Sequence, residues 1–335
     1  MKEPLISLIL PIYNVSAYLD RCIQSIFHQG FSDYEVILVD DGSTDDSPRL
    51  CDAYAADNPF VSVVHKTNDG LSSARNAGIS VARGQYVYCI DPDDYLKEDA
   101  LQCIAEATHQ KADIVKISYV RHEDGAEIPV SGGLKDGYYS ESDMDSIVRQ
   151  SLSTERRFEY SAWTHIFRRD FLEKNHLRFV SEREIGSEDI HFTIVAYALA
   201  RSLVVLDKNL YAYDVRSGSL TQRYRNRLFE QYAKLFDMLE AFFESKNILE
   251  RYRQDLYGFY IWKLVFSTWI GHEYRAVHMQ REGRRRVREC LRSSHLCGVM
   301  KEYDSSSLSI KRRIIYIWMK LDIEPLLYWL YTRKI

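Results

Sequence analysis

Apolar runs and stripes of helical period alternate through the first 120 residues. Leu5–Ile12 and Glu35–Val39 are nearly continuous runs of leucine and β-branched residues, the pattern of strands buried on both faces. Between them Val15, Leu19, Ile23, Ile26 and Phe27 recur at the spacing of one helix face. Phe60–Val64, Tyr86–Ile90 and Asp113–Val120 read as further strands, with helices over 47–57, 72–82 and 97–110. Such alternation predicts an α/β fold with a doubly wound parallel sheet. In that architecture the ligand lies beyond the carboxyl ends of the strands.

Glycines at 125, 132, 133 and 137 make 121–140 loop-rich, which predicts a boundary at 120. From there to 222 the pattern is mixed, with helices expected around 141–152, 168–175 and 188–200 and a strand near 203–207. From about 225 onward the chain is helical and rich in aromatics. The expected division is therefore 1–222, made of 1–120 and 121–222, followed by a mostly helical region, 223–335.

The chain has 335 residues, 46% hydrophobic and 27% charged, which excludes a disordered or collagen-like protein. Net charge is −4, but residues 275–335 carry 14 Lys/Arg against 6 Asp/Glu, so an acidic body bears a basic end. The six cysteines are scattered without a CxxC pair, as in a reducing compartment. Leu5–Ile12 lacks the cleavage site of a signal peptide. The most apolar long segment, Leu256 to Gly271, is broken by Lys263 and falls short of a membrane span. These features predict a cytoplasmic protein, or one peripheral on the cytoplasmic face of a membrane.

Acidic residues follow the apolar strands. Val36–Val39 runs into Asp40-Asp41-Gly42-Ser43-Thr44-Asp45, and Tyr86–Ile90 into Asp91-Pro92-Asp93-Asp94. In a parallel sheet both tips fall on the ligand edge. Three carboxylates within four residues repel one another unless a cation or hydrogen-bond donors offset them. Hard oxygen ligands of this kind suit Mg²⁺ or Mn²⁺ bridging to substrate phosphates. A helix cap is the blander reading, and two acidic tips on one edge weigh against it. Between the tips, Gly70-Leu71-Ser72-Ser73-Ala74-Arg75-Asn76 sets a helix start one turn before a cation, an arrangement that can hold a diphosphate.

Four ordered segments resemble the inverting family 2 glycosyltransferases of the GT-A fold. They are Pro11-Ile12-Tyr13-Asn14, Val39-Asp40-Asp41-Gly42-Ser43-Thr44-Asp45, Gly70 to Gly78, and Ile90-Asp91-Pro92-Asp93-Asp94. Looser similarity continues through Trp163–Arg169, Ser187-Glu188-Asp189 and Tyr211–Thr221, so the resemblance covers residues 4 to about 222. It is greatest to bacterial enzymes that build capsule, O-antigen and exopolysaccharide. The resemblance implies a Rossmann-like nucleotide-binding sheet and transfer from a nucleotide-sugar donor, UDP-linked, to a lipid-linked glycan acceptor. It implies a nucleotide-sugar site at Pro11, Tyr13, Asp40, Asp41, Gly70, Arg75 and Asp91, with Tyr13 and Asp40 facing the base. It further implies Mn²⁺ or Mg²⁺ on Asp91 and Asp93, and a catalytic base at Asp189 or its neighbour Glu188.

A nucleotide-sugar-binding or scaffold module without activity is the alternative. Retention of Asp40, Arg75, Asp91, Asp93 and Asp189 together argues against it. No GxGxxG follows the first strand, which excludes a dinucleotide-dependent oxidoreductase. His191, beside the proposed base, is the one histidine with a candidate role, and Trp163 reads as either a sugar platform or core. The tail offers Arg281, Arg284, Arg285, Arg286, Arg288 and Arg292, then Lys311, Arg312, Arg313, Lys320, Arg333 and Lys334 around two short apolar segments. Two readings stay open for it: an in-plane anchor on an anionic membrane surface, or helices packed on the protein or on a second copy in a homo-oligomer. Nucleic acid is not expected as a partner.

Overall fold

A computed structural model describes residues 3–123, 125–154, 158–215, 224–275 and 280–332. The chain divides into two compact units, Met1–Ser151 with Arg156–Ser219, and Leu152–Glu155 with Leu220–Ile335. The junction expected at 222–223 lies outside the described residues, as do Arg216–Thr221 of the loosest motif and Arg333 and Lys334 of the tail.

The first unit holds a ten-stranded sheet. Its strands are β1 (Ile6–Ile12), β2 (Tyr34–Asp40), β3 (Val61–His65), β4 (Tyr86–Cys89), β5 (Tyr95–Leu96), β6 (Ile114–Glu123), β7 (Ala126–Val130), β8 (Gly137–Tyr139), β9 (His165–Arg168) and β10 (Leu203–Asp214). The path runs β3-β2-β1-β4-β9-β6-β10-β5, with β7 on β6 and β8 on β10. Strands β1 to β4 pair in parallel, Leu10 opposite Leu38 and Leu8 opposite Tyr88, which brings the ends of β2 and β4 to one edge. Every residue of β1 is buried because both faces are covered. Ile6, Leu8, Leu10 and Ile12 share a core with Leu19, Cys22, Ile23 and Ile26 of the Ser16–Phe27 helix. On the opposite face the Leu71–Val81 helix comes so close that a Cβ on Gly78 would stand 2.3 Å from the Ile9 side chain.

Two expectations need correction. The sheet is mixed rather than parallel, because β9 inserts antiparallel between β4 and β6. Its apolar content, Ile166-Phe167, is too short to show a strand period in the sequence. The boundary expected at 120 falls inside β6, whose last residues turn into the hairpin with β7. With β9 lying between β4 and β6, the two expected halves share one sheet.

The second unit is helical. In Leu228–Ser245 the residues Leu228, Tyr232, Leu235, Phe236, Leu239 and Phe243 make a single buried face. Leu249–Gly258 continues as wider π-helical turns over Phe259–Ile270, where Tyr260, Ile261, Trp262, Leu264 and Trp269 are buried. The apolar segment that came nearest to a membrane span is thus core. Among the described residues no helix is long and apolar enough to cross a membrane.

The cationic stretch of Gln280–Leu291 is largely spent within this unit. Buried Glu324 accepts from Arg284 at 2.8 and 2.9 Å, from Arg288 at 3.4 Å and from the Tyr274 hydroxyl at 3.2 Å. Buried Glu273 pairs with Arg286 at 3.4 Å and accepts from Tyr224 at 3.0 Å. Arg285 lies between Glu282 and Glu289, and Arg292 pairs with Asp322. Five of the six arginines counted towards a membrane surface therefore have acidic partners in the fold.

Candidate active site

The acidic end of β4 turns sharply, with the Asp94 N–H on the Asp91 carbonyl at 3.0 Å. Asp91, Asp93 and Asp94 each offer one carboxylate oxygen, and these lie within 4.8 Å of one another. Asp94 is buried. Its oxygens accept from the Tyr211 hydroxyl at 2.7 Å and the Asp214 N–H at 2.9 Å, both on β10. Burial, reinforced by the charge of Asp91, pushes the Asp94 carboxyl up to about 8. Arg21 donates to the Asp93 carbonyl at 2.7 Å and to Asp214 at 2.8 Å, tying this turn to the end of β10. Three convergent hard oxygens, one of them on a carboxyl that burial and the charge of Asp91 disfavour as an anion, are a donor set that fits a divalent cation.

Arg75 is almost fully buried on the Leu71–Val81 helix and serves three carboxylates. Its Nη2 donates to Asp91 at 3.0 Å, and its Nη1 to Glu188 at 3.1 Å and Asp189 at 2.8 Å. The guanidinium also lies over the Phe179 ring, 5.2 Å from its centroid. Burial raises the Glu188 and Asp189 carboxyls above their usual range, Asp189 to about 8, and Arg75 offsets only part of that rise. The result is an acid pair at the start of the Glu188–Leu199 helix, bridged to the tip of β4 by one cation.

The helix start before Arg75 is occupied by the protein itself. The Glu182 carboxylate accepts from the N–H groups of Leu71 and Ser72 at 3.3 and 3.2 Å, satisfying helix-end donors that were expected to meet a diphosphate. Gly70, at φ 95°, makes room for it, since a Cβ there would stand 2.2 Å from Glu182 Oε1. Farther along, the Ser72 hydroxyl donates to the Val180 carbonyl, and the Asn76 side chain exchanges two hydrogen bonds with the Phe179 backbone. Ser72, Arg75 and Asn76 fasten the helix to the segment that carries Glu188 and Asp189.

At the end of β2, Asp40 and Asp41 are both buried. Asp40 accepts from the Ser43 N–H and from His65, both at 2.9 Å. Asp41 accepts from the N–H groups of Asp69 and Gly70 at 3.0 and 2.8 Å and from Lys66 at 2.5 Å. Pro11 is buried within β1, and Tyr13, just beyond it, is half exposed. Asn14 accepts from the Thr44 N–H at 2.7 Å, which holds the Tyr13 loop to the second motif. Trp163 is a core residue, stacked on Tyr211 at 4.4 Å and edge-on to Tyr119 at 4.7 Å. His191 makes none of these contacts, and burial pushes its imidazole down to about 4. Glu182 and Arg21 are structural participants that the sequence reading passed over, because their roles depend on contacts 72 to 193 residues distant in the chain.

A half-buried acid pair and an acidic turn are joined by one arginine beyond the ends of parallel strands. The profile described as Glycosyl transferase family 2 matches residues 7–175. The Bacillus subtilis protein EpsH, named a glycosyltransferase, is 31% identical over 297 residues, covering 88% of this chain and 83% of its own. The crystal structure of S. aureus TarS 1–349 in complex with UDP-GlcNAc matches with a TM-score of 0.72 at 22% identity, covering 97% of this chain and 89% of that one. The mannosyltransferase PcManGT from Pyrobaculum calidifontis, in complex with GDP-Man and Mn²⁺, matches with a TM-score of 0.52 at 16% identity, covering 98% and 87%. The chain belongs to glycosyl transferase family 2 and is a glycosyltransferase of the GT-A fold.

Proposed function

We propose that this enzyme is an inverting, divalent-metal-dependent transferase that moves a sugar from a UDP-sugar to a hydroxyl of a growing, lipid-linked surface glycan. The bridge of Arg75 between Asp91 and the Glu188–Asp189 pair carries the reading, because it places a candidate base next to a candidate cation site. The division of labour follows the two units, donor and acceptor chemistry in 1–222 and docking or assembly in 223–335. UDP as the nucleotide draws support from the TarS complex, and a divalent ion from the PcManGT complex.

Tyr13, half exposed, stacks on the uracil, and Asp40, with acceptor capacity left beyond its two hydrogen bonds, accepts a hydrogen bond from the imide N–H. Asp41 holds the loop before Gly70 in place. Asp91 and Asp93 would hold Mn²⁺ or Mg²⁺, with Asp94 beside them, and the ion would supply positive charge to neutralise the departing diphosphate. Asp189 accepts the proton of the acceptor hydroxyl as that oxygen bonds to the anomeric carbon and the bond to the diphosphate breaks. Attack from the face opposite the leaving group inverts the centre, and no side chain forms a covalent bond. Glu188, more tightly enclosed, shares Arg75 and keeps Asp189 in position.

Release of UDP from a panel of UDP-sugars in Mn²⁺ tests the activity. An Asp189→Asn variant should lose turnover by at least about a hundredfold while binding UDP as the wild type does. Loss of UDP affinity in that variant would move Asp189 to the donor site. Absence of UDP release with every sugar would favour a binding module without activity.

A further inference from the structure

We propose that the outer face of the Ile310–Lys320 helix docks this enzyme on an anionic lipid surface. The idea deepens the reading of a lipid-carried acceptor and rests on that reading for its use, not for its geometry.

Ile310, Ile314, Ile317 and Leu321 are 80, 43, 44 and 64% exposed. They stand at positions i, i+4, i+7 and i+11, a single stripe down one side of the helix. Ile315, Tyr316 and Met319 occupy the opposite side and are buried. The helix thus has two apolar faces, and only one of them is covered. Lys311 on one flank of the stripe, and Arg313 and Lys320 on the other, are all exposed. Among the described residues none of the three makes an ion pair; Arg313 donates to the Ser306 carbonyl. The helix contains no acidic residue. Nearby Asp322 and Glu324 are already paired, with Arg292 and with Arg284 and Arg288. The next helix, Glu324–Thr332, adds exposed Leu326 and Trp329, three residues apart.

An apolar stripe bordered by exposed cations, of which only Arg313 has an acidic neighbour in Asp304, complements an interface that is oily within and anionic outside. The same charges disfavour a second copy as occupant, since a twofold contact through this face would oppose like cations. An acidic protein would meet the cations but leave the isoleucines without an apolar counterpart. The Arg284–Arg292 cluster takes no part, because its charges are answered within the unit.

The test is flotation of the full chain with vesicles of phosphatidylcholine alone and of equal parts phosphatidylcholine and phosphatidylglycerol, at low and high salt. The wild type should bind the anionic vesicles, and less so in high salt as screening shortens the reach of the charges. Ile314→Asp with Ile317→Asp should weaken that binding by at least about tenfold. Lys311→Gln with Arg313→Gln and Lys320→Gln should remove the preference for phosphatidylglycerol. UDP release should be unchanged in both variants, and since flotation needs no donor sugar, failure of the transfer reading would appear separately. Wild-type protein absent from both vesicle types, or an aspartate variant that floats as the wild type does, would overturn the proposal. A dimer in sedimentation that the aspartate variant disperses would also overturn it, giving the face to a second copy.

Discussion

At Arg75 one guanidinium serves three carboxylates, Asp91, Glu188 and Asp189, whereas at Glu324 two guanidiniums, Arg284 and Arg288, serve one. Both clusters contain buried charge, yet the surplus has opposite sign. Around Arg75 the carboxyls outnumber the cation, Asp93 and Asp94 add to their number, and the Asp94 carboxyl, pushed up to about 8 by burial and Asp91, keeps its proton at neutral pH until a cation arrives. A surplus that the fold does not cancel is affordable where a ligand of opposite charge arrives. Around Glu324 the extra charge sits on arginines that are one-third or more exposed, so water answers it and the cluster closes on itself. Buried charge by itself does not distinguish a reacting site from a structural one; the balance of the charge does.

That contrast can be broken most severely at its cation. Arg75→Met strands three carboxylates, and removing one partner from a buried ionic cluster costs on the order of 3–5 kcal/mol. Urea unfolding should show a loss of that size, together with loss of UDP release. Glu324→Gln removes a buried anion but leaves arginines that can turn to solvent, so its cost should be smaller, about 1–3 kcal/mol. A larger penalty at Glu324 than at Arg75 would reverse the comparison.

A finer test uses His191, on the same helix as Glu188 and Asp189. Burial pushes its imidazole down to about 4, against about 6.5 in an unfolded chain. In that window the unfolded state binds the proton and the folded state does not, so stability is present above about 6.5 and is lost as pH falls towards 4. For a partly buried ring the loss should reach about 2 kcal/mol. His191→Gln should flatten the curve over this interval in thermal or urea unfolding. An unchanged slope would show that the carboxylates on Arg75, not His191, govern the acid response.

The parts of the molecule legible in its sequence were those set by local order. Continuous apolar runs marked β1, β2 and β4, and the acidic residues that end β2 and β4 fell on one sheet edge because parallel strands share a direction. The same logic could not reveal β9, a four-residue strand that owes its place to pairing with β4 and β6. Nor could it reveal Glu182. Gly70 and the helix start carried the pattern of an anion site, and the anion present is a side chain more than a hundred residues later in the chain. The tail shows the same limit for charge: Arg284, Arg286, Arg288 and Arg292 looked like one cationic surface until their acidic partners were placed. Composition counts charges along the chain, while only the fold pairs them.

We propose that the acidic turn at the end of β4 is a cation site completed by a nucleotide diphosphate. Calorimetric titration of UDP into wild type and Asp93→Ala, each with Mn²⁺ and with excess chelator, tests it most directly. The account predicts UDP binding to wild type that weakens at least about tenfold in chelator, and weak binding to Asp93→Ala that Mn²⁺ does not improve, with both proteins unfolding at the same urea concentration. UDP binding to wild type that is equally tight with and without the metal would contradict it.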